Sequence, residues 1–137
     1  MSVDSSEEAV AAARRLLALP PSEEGSAWHV RRLDGGGTYF LVHVADRIAC
    51  IDPGSGALLA SATTMRAPVA VSREAAVARV GRGDLASAEL VWKASAATLS
   101  MFDPVWLVTR DDVVVFVDQR GKVWPWLPPK QPGGGAG

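Results

Sequence analysis

The chain has 137 residues, a formal net charge of −1 and 48% hydrophobic residues. This length and apolar content fit one ordinary globular domain, or two very small units that share a core. The near-zero charge offers no basic surface of the kind that binds nucleic acid or an anionic membrane, so neither partner is expected. The single cysteine, Cys50, excludes an intrachain disulfide and a cysteine-based zinc site.

The N-terminus is acidic and polar and lacks the basic and apolar regions of a signal peptide. No apolar run approaches the ~18–20 residues that a membrane span needs. We therefore expect a cytoplasmic protein.

Two short helices are predicted from capping signals. Ser5 and Glu8 fit a capping box that opens the first helix, and Pro20-Pro21 ends it. Ser72 is placed to cap a second helix at Arg73–Val80.

Runs of β-forming residues separated by turn residues predict a strand-rich chain. The candidate strands are Trp28–Leu33, Thr38–Val44, Arg47–Ile51, Ala57–Ser61, Glu89–Ala94, Val105–Thr109, Val113–Val117 and Lys122–Leu127. The continuous apolar run Val113–Val117 is typical of a strand that is buried on both faces.

Two similar turns organise the chain. In the first, Pro53 presets φ, and Gly54 and Gly56 are expected to supply positive φ values. In the second turn, which is one residue shorter, Gly121 is the equivalent of Gly56. The aspartates that open the turns, Asp52 and Asp118, are expected to accept backbone hydrogen bonds within their own turns, which is a structural role.

The two aspartates are 66 residues apart, and the same offset aligns other features of the two halves. It pairs Ser6 with Ser72, Glu8 with Glu74, Phe40 with Trp106, Val42 with Val108 and Ile51 with Val117. We therefore expect an α+β protein of two repeated units, each one helix packed on a three- to four-stranded antiparallel sheet, related by a pseudo-two-fold axis. The units are predicted at residues 1–66 and 67–128, followed by a disordered Pro/Gly-rich tail at residues 129–137.

The paired motifs resemble a known family. Each half has an S-x-E-A motif, SEEA at 6–9 and SREA at 72–75, followed by a hairpin, IACIDPGSGALL at 48–59 and VVFVDQRGKVW at 114–124. These hairpins resemble the V-D-x-x-T-G-E-V-L hairpin of PepSY domains. The resemblance covers most of residues 5–127 as two copies.

The resemblance implies a small binding module without catalytic residues or a cofactor, of the kind associated with restraining peptidases or with regulation at the cell envelope. Ser55 stands where the family usually has Thr. A similar layout of one helix and four strands is used by some cytoplasmic immunity proteins that neutralise bacterial toxins.

The residues that could carry chemistry have simpler structural interpretations. His43, Cys50 and Asp52 could form a thiol–imidazole dyad with an orienting carboxylate, but Cys50 falls at a core-like strand position, which favours packing. His29 and His43 have no metal-ligand spacing. We therefore predict no enzyme activity, no metal site and no cofactor.

Trp124 and Trp126 are the strongest candidates for partner binding. They flank Pro125 on the last predicted strand and would point to the same side of a regular strand, at a sheet edge where proline is tolerated. They could equally cover the sheet.

The leading hypothesis is a non-catalytic protein-binding module, peptidase-inhibitor-like or regulatory. The alternatives are an immunity protein that neutralises a bacterial toxin, and a small-ligand or peptide sensor with its ligand between helices and sheet. Exposed strand edges are compatible with a homodimer.

Overall fold

The computed structural model of the chain describes residues 5–64, 66–81, 85–95, 98 and 100–127. It divides into two compact units, Met1–Pro68 and Val69–Gly137, so the division lies two residues beyond the predicted one. The predicted disordered tail, residues 129–137, lies outside the described residues.

The first unit contains one helix and four antiparallel strands in the described chain. Its elements are α1 (Ser6–Leu16), β1 (Gly25–Arg32), β2 (Thr38–Val44), β3 (Arg47–Ile51) and β4 (Leu58–Thr63). Each strand pairs with the next in sequence, in the order β4-β3-β2-β1.

A side-chain cap fixes the start of α1, and a stripe of apolar residues forms its buried face. The Ser5 hydroxyl accepts a hydrogen bond from the Glu8 backbone N–H at 3.2 Å, which caps the helix as predicted, and it donates one to the Glu8 carboxylate at 3.3 Å. The helix buries its alanine-rich face against one face of the central strands. This core contains Ala9, Val10, Ala12, Ala13, Phe40, Val42, Val44, Ala49 and Ile51.

The second unit has the same kinds of element in the residues that are described. They are α2 (Arg73–Val80), β5 (Leu85–Trp92), β6 (Val105–Arg110), β7 (Val113–Val117) and β8 (Val123–Trp124), with strand order β5-β6-β7-β8. The Ser72 hydroxyl caps α2 by accepting the Ala75 N–H at 3.1 Å, and Gly81 follows the helix at φ 99°.

Both units contain a tight hairpin. Val44 pairs with Arg47 in the first, and Arg110 pairs with Val113 in the second, 66 residues later. Asp111 and Asp112 both have positive φ, at 50° and 65°, as a two-residue type I′ turn requires. The offset is not kept by the preceding strands, because Leu41 pairs with Trp28, whereas Leu107, 66 residues after Leu41, pairs with Glu89, only 61 residues after Trp28.

The predicted fold class is wrong in its main feature. The described chain is mostly strand, with eight strands and only two short helices, instead of two repeated units with a helix packed on each sheet. The physical reason lies in α2, which has eight residues and buries only Ala76, too little apolar surface to form a helical layer. The coarser description, an α+β protein in which antiparallel strand pairs dominate, is correct.

The strand β7 also differs from its prediction. Val113 and Val114 are 57% and 45% exposed, and only Val117 at the other end of the strand is buried. The cause is the shortness of β8, which pairs with Phe116 and Val117 but does not reach the start of β7 in the described chain. Pro125 follows at once and has no N–H to continue the ladder.

None of the helices in the described ranges is long and apolar enough to cross a membrane.

Candidate functional site

The first turn is built around Asp52. Its Oδ2 accepts hydrogen bonds from the Ser55 hydroxyl at 2.7 Å and from the Ser55 backbone N–H at 2.9 Å, and these bonds lower the pKa of Asp52. Gly56 has φ 74°, where a glycine is favoured, and its N–H bonds to the Asp52 carbonyl at 2.8 Å. Gly54 does not have positive φ, contrary to the prediction, so the turn needs only one glycine for its backbone geometry.

The second turn is built around Asp118, which is 4% exposed. Its Oδ1 accepts the backbone N–H groups of Arg120 and Lys122 at 2.9 and 3.0 Å, and its Oδ2 accepts the indole N–H of Trp124 at 2.9 Å. Gly121 has φ 85° in the same turn. The carboxylate is therefore a buried structural acceptor with three donors.

The structure separates the roles of the two candidate tryptophans. Trp124 is half-buried, its indole is bound to Asp118, and the Lys122 Nζ lies 4.1 Å from the ring centroid. Trp126 is 59% exposed. Because β8 ends at Trp124, the regular strand that would place both rings on one side does not extend to Trp126.

Trp126 is one of four large apolar residues that are exposed in the described part of the second unit. We call the set Val113, Val114, Val123 and Trp126 the apolar end; the exposed fractions of Val123 and Trp126 are 39% and 59%. Val113 and Val123 lie on one face of the sheet, because Val123 pairs with Val117 and side chains on a strand alternate. Val114 lies on the other face.

Charged residues border the apolar end. Asp112, Arg120 and Lys122 are exposed and lie in the turns next to β7 and β8. Exposed apolar residues with charged residues next to them make this end of the unit a candidate protein interaction surface.

The candidate catalytic residues do not form a reactive group. Cys50 is buried, and burial raises the pKa of its thiol to about 12. His43 pairs with Ile48 and Cys50 with Leu41, so His43 and Cys50 are diagonal neighbours, with their backbones ~7–8 Å apart. The ring of His29 packs at 5.1 Å from the ring of Phe40. In the described ranges, no group of three His, Cys, Asp or Glu residues could hold a metal ion.

The first unit contains a groove between α1 and the start of β1, with a volume of about 670 Å³. It is lined by Ser6, Glu7, Val10, Arg14, Gly25, Ser26, Ala27 and Trp28. Val10 is buried at its base, and Trp28 and Arg14 are half-buried. The Arg14 Nε–H donates to the Glu23 carbonyl at 2.7 Å, which orients the guanidinium group.

Gly25 allows the strand to approach the helix at this groove. A Cβ at this position would lie 2.6 Å from Val44 Cγ2, 3.0 Å from Val10 Cγ1 and 3.1 Å from the His43 carbonyl oxygen. The sensor alternative predicted a ligand between helices and sheet, but not the residues of this groove, because the strand was predicted to begin at Trp28 and the structure begins it at Gly25. A glycine within a strand is a signal for close backbone approach, and Gly25 could have indicated this site.

No protein-family model, no curated protein and no solved structure matches the chain. The resemblance to PepSY domains therefore rests on the sequence motifs, and a function has to be inferred from the geometry of the two units.

Proposed function

We propose that the protein is a non-catalytic protein-binding module whose partner contacts the apolar end of the second unit. The observation that carries this proposal is the exposure of Trp126 together with three exposed valines on β7 and β8 of the same unit. Tryptophan is among the residues most enriched in binding hot spots. Trp124, two residues before Trp126, is held by its hydrogen bond to Asp118.

In this proposal, the described residues that could carry chemistry have structural roles. Cys50 is buried with a raised thiol pKa, and the carboxylates of Asp52 and Asp118 accept hydrogen bonds within their turns. We propose a peptidase-inhibitor-like or regulatory role on the strength of the PepSY-like motifs. The immunity-protein role remains the alternative, and the cytoplasmic location expected from the sequence remains a prediction.

The proposal can be tested by affinity capture from native lysate. Wild-type protein is compared with a Trp126→Ala/Val123→Ala variant, and Leu16→Ala serves as the matched control, because Leu16 is 41% exposed in the first unit. We expect a stoichiometric partner with wild type and control, and a loss of affinity of about 30-fold or more with the variant. Equal capture by all three folded proteins would contradict the proposed surface.

The groove in the first unit favours a second candidate function, that of a small-ligand or peptide sensor. Its volume of about 670 Å³ lies within the ~300–1,000 Å³ typical of ligand pockets. Its lining combines an aromatic wall, an apolar base and two charged groups, which is the usual composition of a site with defined ligand orientation.

A further inference from the structure

We propose that the groove between α1 and β1 binds a short free peptide of about three residues. The amino terminus of the peptide would pair with Glu7, its carboxylate with Arg14, and an apolar side chain would pack on Val10 and Trp28. This inference rests on the second candidate function, the sensor, and names its ligand class.

The order of chemical groups along the helix leads to this ligand. Glu7, Val10 and Arg14 all line the groove, and their spacing of three and four residues places them on one stripe of an α-helix. The groove therefore presents an anion, an apolar surface and a cation in that order. A zwitterionic ligand with an apolar middle is complementary to this pattern.

Arg14 is the lining residue that is best placed to bind an anion. It is half-buried, and among the described residues its side chain bonds through Nε to the carbonyl group of Glu23, which is neutral and does not compensate the charge of the guanidinium. No carboxylate of the described residues forms an ion pair with it. A guanidinium oriented through Nε still has Nη groups with which to bind a carboxylate.

Glu7 supplies the opposite charge at the other end of the groove. It is exposed in the first turn of α1, and it forms no ion pair with another described residue. The helix cap involves Glu8, not Glu7, so a ligand at Glu7 would not compete with it.

The distance between the two charges selects the length of the ligand. Seven residues separate Glu7 from Arg14, which corresponds to a rise of about 10 Å along a helix. An extended peptide advances ~3.3–3.6 Å per residue, so a tripeptide spans the same distance. Trp28, half-buried on β1, and Val10, buried on α1, then flank the central side chain.

The test uses three forms of the tripeptide Ala-Leu-Ala: with free ends, with an acetylated amino terminus, and with an amidated carboxyl terminus. Binding is followed by NMR at the indole N–H of Trp28, whose signal is assigned with a Trp28→Phe variant. We expect the free peptide to bind wild type, and each blocking group to weaken binding about tenfold or more, because each removes one charge-assisted contact.

Two variants assign the ends of the peptide. In Glu7→Gln, acetylation should no longer weaken binding, while amidation still does. In Arg14→Gln, the pattern should be reversed, and Arg14→Lys should recover part of the dependence on the free carboxylate. The far-UV circular dichroism of each variant shows whether it is folded.

Two results would overturn the inference in different ways. If the blocked peptides bind wild type as tightly as the free one, the charged ends are not recognised, but the groove remains a ligand site and the sensor function survives. If neither the peptides nor indole and benzoate at millimolar concentration move the Trp28 signal, the inference and the sensor function fail together. The protein-binding function of the second unit is unaffected by either result.

Discussion

Replacing Asp118 by alanine should destabilise the second unit strongly. The carboxylate is 4% exposed and accepts three N–H donors, from Arg120, Lys122 and the indole of Trp124. A hydrogen bond to a charged group contributes ~1.5–3 kcal/mol, but some of the freed donors will reach water after the substitution. We therefore expect the free energy of unfolding to fall by about 3–5 kcal/mol, a large part of the ~5–15 kcal/mol of an ordinary domain.

The matched control is Asp52→Ala in the first unit. Asp52 also accepts hydrogen bonds in its turn, but from Ser55 at a site where the donors are exposed and can bond to water instead. Its replacement should therefore cost clearly less than that of Asp118. Urea unfolding followed by far-UV circular dichroism measures both variants, and the reasoning is refuted if Asp118→Ala costs no more than Asp52→Ala.

A double-mutant cycle isolates the contact with the indole. Asp118→Asn can retain the two backbone hydrogen bonds through its carbonyl oxygen, but it turns an NH₂ group toward the N–H of Trp124. In a Trp124→Phe background this conflict is absent, so the cost of Asp118→Asn should fall by about 1 kcal/mol. A coupling energy of zero would show that the indole bond contributes nothing to stability.

Four further predictions concern single residues. Because burial raises the thiol pKa of Cys50 from 9.0 to about 12, iodoacetamide should alkylate the native protein at least about a thousandfold more slowly than the urea-unfolded protein, and equal rates would refute the burial. Ala45→Gly should raise the stability by ~0.5–1 kcal/mol, since Ala45 has φ 55°, and an unchanged melting temperature would contradict this. Gly25→Ala should lower the stability by ~1–3 kcal/mol, because the new Cβ would meet Val44 Cγ2 at 2.6 Å; a neutral effect in thermal unfolding would mean that the strand shifts freely. The pKa of Asp52 is lowered in the folded state, so its ionised form stabilises the protein above the unfolded pKa of about 3.9. This contribution is lost as the pH falls through the lowered pKa of the folded state. The stability difference between wild type and Asp52→Asn should therefore be present at neutral pH and disappear in strong acid.

The features that the sequence determined by itself are those made by residues close together in the chain. The caps at Ser5 and Ser72 depend on side chains that reach a backbone N–H three residues away. The tight hairpin between β2 and β3, and its counterpart between β6 and β7, follow from short runs of β-forming residues interrupted by a two-residue loop. Propensity and local hydrogen bonding are sufficient for these elements.

The tertiary structure alone decided what is buried, and therefore what each similar motif does. Asp52 and Asp118 open similar turns, but only Asp118 is buried, because Trp124 covers it from a neighbouring strand. The apolar run of β7 predicts burial, yet Val113 is exposed, because β8 is two residues long and α2 buries only Ala76. The burial of a side chain depends on contacts with residues that are distant in the sequence. The apolar sequence of β7 therefore predicts neither the length of β8 nor how much of the sheet α2 covers.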